Sequence, residues 1–425
     1  MNSKPQLKKT QPIAVKSLSL GPKSSPDQFV KQRLKSLDAY RGLIMVSLAF
    51  VGFGMADVAK LHLVTDPSSS FWQGLHFHFT HVQWAGCSYW DLIQPSFMFM
   101  VGVSMAYSYV QREKKGHSYG KMLRHAMIRS LALVLLGVFL SSNSSDTTNW
   151  SFMNVLSQIG LGYTFLFLLW RRQFATQVAT AAVLLVGTWL LYFAFPNTGV
   201  APEAGAAQIG VSAEWAAENL EGIDAVWHKN ANVGHAVDRW FLNLFPRESE
   251  FEFNRGGYQT INFIPSLATM LFGLICGELL RSKRRSSMKL LFLIVGGLAA
   301  IAVGFVLDWS GICPSIKRIW TPSWALFSTG WCCLILAALY LVIDVIGFQR
   351  WAFPLYVVGM NSIVVYCMGQ LLKPWTRDAL QTHFGQNLFD VLGAQWQPFT
   401  YHTLVGLSFW LFCYWLYRQK LFVRI

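Results

Sequence analysis

The chain has 425 residues, of which 53% are hydrophobic, 15% aromatic and only 13% charged, with a formal net charge of +14 at pH 7. That composition excludes an intrinsically disordered chain and an ordinary soluble enzyme. The apolar positions fall in blocks of about 18–22, the length that crosses a bilayer, so the fold expected is an all-α polytopic membrane protein.

Residues 1–35 are rich in Lys, Ser and Pro without apolar periodicity and read as a disordered basic cytoplasmic tail. A transmembrane domain over 36–425 follows. It holds about ten apolar spans, at 40–58, 91–110, 125–142, 152–170, 174–195, 262–281, 288–308, 322–345, 351–372 and 400–417. The run from Tyr40 lacks a small-residue cleavage site and reads as an uncleaved anchor. Lys and Arg accumulate on the cytoplasmic side of membranes. With both termini inside, about three quarters of the 35 basic residues fall there. The expected location is the bacterial inner or plasma membrane, and the net charge serves topology and contact with anionic lipid, not nucleic acid. The histidines run the other way: His62, His76, His78, His81, His228, His235, His383 and His402 fall outside, which favours the outer face for polar chemistry.

The longest loop, 196–261, is extracytoplasmic and mixes Trp215, Trp227, His228, Lys229, Asn230, Asp238 and Arg255. Aromatic faces among amides and charges suit a carbohydrate, although the same loop can be a cap folded over the spans. A Cys87–Cys313 disulfide is conceivable. No internal repeat points to an inverted-repeat transporter.

The candidate chemistry centres on His81, in His81-Val-Gln-Trp84-Ala-Gly86-Cys-Ser-Tyr-Trp90-Asp91. An imidazole with near-neutral pKa at the mouth of a membrane pocket can act as general base or as acyl carrier, with Asp91 to orient it. Spacing alone fixes neither role, because ten residues cross a loop–helix junction. His76, His78 and His81 also form an H-x-H-x-x-H pattern, but its short mixed spacing makes it a weak metal site, and no metal is expected. Asn154 and Gln158 share a helical face, and Asn361 and Ser362 lie near the middle of the ninth span. Such buried polar groups either line a pocket or bond helices together. Arg41, at the membrane edge, can pair with Asp38, reach lipid phosphate or meet an anionic cofactor. The Arg112–Arg129 and Arg281–Lys289 clusters read as positive-inside loops that can also hold a nucleotide's phosphates. There is no Gly-rich phosphate loop in a strand–turn–helix context, no nucleophile elbow and no paired-cysteine metal site.

In order along the chain, several motifs carry a family resemblance. They are Ser36-Leu-Asp38-Ala-Tyr-Arg41-Gly42, His81-x-x-Trp84-x-Gly86, Asp91-Leu with Pro95, Asn154-Val-Leu-x-Gln158-Ile-Gly160, Ile264-Pro-Ser-Leu-Ala-Thr269, Cys313-Pro-x-x-Lys317-Arg318-x-Trp320-Thr321, Gly359-Met-Asn361-Ser362 and the closing Tyr417–Ile425 stretch. From about Arg33 onward the chain resembles the membrane-embedded heparan-α-glucosaminide N-acetyltransferase family and its bacterial relatives. The resemblance implies transfer of an acetyl group from cytosolic acetyl-CoA, the acyl-donor substrate, to an amino sugar or glycan across the membrane. It aligns His81 with the family's proposed active-site histidine. The roles expected are catalysis by His81 with Asp91, substrate contacts at Trp84, Asn154, Gln158, Arg255, Lys317 and Asn361, and donor contacts at Asp38, Arg41 and Ser362. Expected partners are the glycan acceptor and membrane lipid, with a homodimer left open. Three departures stand out: no counterpart of the N-terminal luminal domain and its span is expected, Gly52 stands where many members carry Asn, and the 196–261 loop looks specialised. The alternative reading is a non-enzymatic transporter or flippase for a glycan or lipid-linked intermediate.

Overall fold

A computed structural model describes residues 34–195 and 209–423. The expected basic tail through residue 33 and the 196–208 part of the long loop lie outside the described residues. Among the described residues there is no strand, only an isolated antiparallel bridge between Ala85 and Ile316. The protein is helical and integral to the membrane.

Each apolar segment of the sequence forms helix. The helices are α1 (Lys35–Ala49), α2 (Met55–Thr65), α3 (Ser70–Phe79), α4 (Ile93–Lys114), α5 (Tyr119–Ser141), α6 (Val155–Leu169), α7 (Phe174–Ala194), α8 (Ala213–Asn219) and α9 (Val233–Leu242), followed by α10 (Phe263–Arg281), α11 (Ser286–Trp309), α12 (Pro322–Leu339), α13 (Phe353–Gly359), α14 (Ser362–Leu371), α15 (Lys373–Phe384) and α16 (Gln397–Arg418). Five helical stretches are long and apolar enough to cross a membrane singly, and two bent pairs, α1 with α2 and α13 with α14, raise the number to seven. Ten is not reached on that basis. The segments 91–110, 152–170 and 400–417 form α4, α6 and α16, and of these α6 has 15 residues, about 22 Å of helix. The ninth segment is broken into two helices meeting at 66° beside Asn361.

Small residues let the long helices touch backbone to backbone, as membrane helices do when no hydrophobic drive separates protein from lipid. On α4, a Cβ at Gly102 would overlap the Met270 carbonyl oxygen of α10, and one at Gly273 would overlap the Phe99 carbonyl oxygen in return. Gly42 on α1 meets Leu355 of α13, and Gly359 meets Asp38, in the same manner. Gly102→Ala is therefore expected to lower stability by about 1–3 kcal/mol through overpacking. Thermal unfolding in detergent checks it, with Gly296→Ala as the control, because no neighbouring atom lies within 4 Å of a Cβ there.

Residues 209–261 form a folded cap containing α8 and α9. Trp84, Tyr192, Leu220, Trp227, Val233, Cys313, Ile316 and Ile319 make its apolar core, joining the loop to the end of α7 and to the segments before α4 and α12. The cap positions the segments around His81. Cys87 and Cys313 are free thiols, so the conceivable disulfide does not form.

Candidate active site

The chain between α3 and α4 folds back on itself because Ser88 and Asp91 form a reciprocal capping box. The Asp91 N–H donates to Ser88 Oγ at 3.3 Å, and the Ser88 N–H donates to Asp91 Oδ2 at 3.2 Å. Asp91 Oδ2 also accepts from Ser88 Oγ at 2.9 Å and from the Val82 N–H at 3.1 Å. These four bonds leave Oδ1 turned toward His81, whose Nδ1 lies 2.7 Å away. A carboxylate has no proton to give, so the contact assigns the ring proton to Nδ1. Nε2 then carries the free lone pair, and no protein group hydrogen-bonds it among the described residues.

Lys317 completes the cluster from the segment before α12. Its Nζ donates to Asp91 Oδ1 at 3.2 Å and lies 3.1 Å from His81 Nδ1. The side chains of Asp91 and Lys317 are 3% and 6% exposed, whereas that of His81 is 40% exposed, so the imidazole is the only one of the three with room for a partner. Burial holds the His81 pKa below its ordinary 6.5, and the Lys317 and Arg318 charges add to this against the pull of Asp91. The ring is accordingly neutral near pH 7. Next door, the Arg318 guanidinium donates to the Gly256 carbonyl at 2.7 Å, and Lys229 Nζ sits 4.6 Å over the Trp215 ring.

The other expected site residues divide. Trp84 is buried, with its Nε1–H donating to the Trp227 carbonyl at 3.1 Å, and so belongs to the cap's core instead of a ligand surface. Asn154 is the N-cap of α6, its side chain accepting from the Ser157 N–H at 2.9 Å. The Gln158 amide reaches the carbonyls of Phe152, Gln259 and Thr260 and ties α6 to the cap. Asn361 is fully buried and clips the tail beyond α16 through Leu421 and Val423. These four therefore act within the fold and do not join His81. Arg255 is exposed on the cap. Asp38, Arg41 and Ser362 do converge: Arg41 pairs with Asp38, the Asp38 backbone abuts Gly359, and Ser362 Oγ donates to the Gly359 carbonyl at 2.9 Å.

Sequence reasoning did not select Ser88, Lys229 or Arg318. For Ser88 the signal was present, a Ser-x-x-Asp box ahead of an apolar run. Gly52 is explained by the fold. It lies at the break between α1 and α2 with φ +58°, and a Cβ there would press on the rings of Phe79 and Trp90. Asparagine in its place would require both rings to move. Among the described residues no three His, Cys, Asp or Glu side chains are grouped as metal ligands.

No family model matches the chain. Over 439 residues it is 24% identical to the heparan-alpha-glucosaminide N-acetyltransferase of Homo sapiens, covering 92% of this chain and 60% of that protein. It is 23% identical over 447 residues to that of Mus musculus, with the same coverage. The chain thus spans 60% of the length of these relatives. The resemblance first seen in scattered motifs extends along nearly the whole chain.

Proposed function

We propose that this relative of the heparan-alpha-glucosaminide N-acetyltransferases is itself a transmembrane acyltransferase, carrying an acetyl or similar acyl group from acyl-CoA to an amino sugar or glycan amine. The acceptor is met on the extracytoplasmic side, with about ten spans and both termini cytoplasmic. The observation that carries this reading is the His81–Asp91 pair, with Nδ1 held and Nε2 free in a neutral ring. That arrangement suits a general base.

In the transfer step, the acceptor nitrogen bonds to the thioester carbonyl carbon as Nε2 takes the amine proton. The C–S bond then breaks, and the proton passes to the departing CoA sulfur. Asp91 holds the imidazolium formed in between. The Lys317 and Arg318 charges favour return of the proton and add positive potential where the carbonyl oxygen becomes negative. Asp38, Arg41 and Ser362 are assigned to the donor. Ser47 of α1 bonds Tyr89 at 2.9 Å beside the His81 loop, and Asp38 lies nine residues earlier on the same helix, about 14 Å deeper. A donor anchored there extends its pantetheine arm along α1 toward His81.

The test is acceptor-dependent CoA release by the purified protein, followed across pH. A base must be unprotonated, and the His81 proton is held less tightly than in a free imidazole. Once the rate is expressed per concentration of acceptor present as free amine, kcat/KM is therefore expected to rise with pH along a single limb whose inflection lies below 6.5. The same depressed pKa means that His81 contributes to stability above 6.5 and that this is lost as pH falls through the folded-state value. An inflection well above 6.5, or no CoA release with any amine acceptor, contradicts the assignment.

A further inference from the structure

At the end of α4 away from Asp91, three basic side chains of α4 and α5 face one another with no acid between them. Arg112 Nη2 donates to His125 Nε2 at 2.8 Å, which places the imidazole proton on Nδ1. Nδ1 is buried and has no hydrogen-bond partner. One turn further along the same face of α5, Arg129 lies 4.7 Å over the Tyr163 ring of α6, and its buried Nε is also without a partner. Tyr109, itself 1% exposed, closes the cluster from α4, its ring 6.3 Å from that of His125. The only carboxylate on α4, α5 and α6 is Glu113, and it is turned to Arg171 at 3.2 Å.

Buried donors cost free energy when unpaired, and more when charged. The Arg129 Nε–H and the His125 Nδ1–H, both buried with no protein acceptor, beside the Arg112 guanidinium that bonds only an imidazole nitrogen and no acid, therefore describe a place for an anion with several oxygens. Arginine's planar fork matches phosphate geometry in particular. Ile93 and Arg112 are separated by about 30 Å of α4, at 1.5 Å per residue, so the cluster lies one membrane thickness away from His81. It is also built on different helices from the Asp38–Arg41 cluster of α1. The lipid-facing side chains Met127, Ile128 and Leu131 of α5 flank it.

We propose that Arg112, His125 and Arg129 form a phosphate-binding site distinct from the donor contacts on α1. Two sources carry that chemistry at this depth: the headgroup of an anionic phospholipid, and the phosphates of CoA. Arg112→Gln and Arg129→Gln, made separately, distinguish them. The probes are phosphatidylglycerol retained by the full-length protein after detergent exchange, and CoA affinity measured by calorimetry. Lys283→Gln, on the exposed loop between α10 and α11, removes one charge elsewhere as the control, and thermal unfolding confirms that each variant is folded. Arg112→Lys keeps the charge but loses the fork, and serves if the glutamine variants unfold. At least a tenfold loss of bound lipid with unchanged CoA affinity identifies a lipid site. A tenfold weaker CoA affinity with unchanged lipid identifies a CoA phosphate. If folded Arg112 and Arg129 variants match Lys283→Gln in both readouts, the proposal is wrong.

Discussion

Replacing His81 with alanine is expected to lower kcat for acyl transfer by about 10²- to 10⁴-fold, the range contributed by a positioned proton acceptor. Thermal stability should change little, because the side chain is 40% exposed and its partners Asp91 and Lys317 keep each other, Asp91 also keeping Ser88 and Val82. The substitution also opens a slot beside Asp91, and added imidazole should recover part of the rate in proportion to its neutral fraction. Steady-state CoA release, with and without imidazole, is the measurement. Activity within threefold of wild type would remove His81 from the chemistry.

Asp91→Asn is expected to be nearly as damaging to catalysis, through proton placement. The amide is almost the same shape, but it can offer an N–H to Nδ1, which then favours the tautomer with the proton on Nε2. A ring in that state cannot accept the acceptor's proton. In the serine-protease triad, the same exchange at the orienting carboxylate costs about 10⁴ in kcat. Here it has a second effect, because Lys317 is left buried with no counter-charge, a situation that costs about 3–5 kcal/mol. Adding Lys317→Met removes the stranded charge. The double variant is therefore expected to recover most of the lost stability while remaining inactive. A cycle of the two single variants and the double, read both by unfolding and by turnover, separates the structural role of the ion pair from its part in proton transfer. Recovery of turnover along with stability would show that Asp91 matters only for folding.

The legible and illegible parts of the sequence follow from the range of the interactions involved. Apolar blocks located the long helices, because burial in lipid is written locally in composition, whereas α3, α8, α9 and α15 lie outside those blocks. The crossing number was harder to read, since a bend such as that at Asn361 depends on packing between α13, α14 and α16 and not on hydropathy. At the candidate site, His81 and Asp91 stood out as polar groups at the edge of a span. Their 2.7 Å contact, however, depends on a capping box that also had to be recognised. Lys317 lies 226 residues from Asp91 and meets it only once the cap has folded, so the sequence marked it as a ligand contact and gave no hint of the ion pair. Asn154 shows how one residue type carries two signals. An Asn ahead of an apolar run is also a helix cap, and here Asn154 caps α6 while Gln158, four residues on, bonds the cap's carbonyls.

The central claim is transfer across the bilayer, and a vesicle experiment tests it most directly. The protein is reconstituted in proteoliposomes with glucosamine enclosed and acetyl-labelled CoA supplied only outside, on the cytoplasmic face. The expected result is labelled N-acetylglucosamine in the lumen, one free CoA thiol outside for each acetyl moved, and neither product with His81→Ala. Glucosamine that crosses the membrane unmodified, with no CoA released and at the same rate in His81→Ala, would contradict the account and make the protein a transporter.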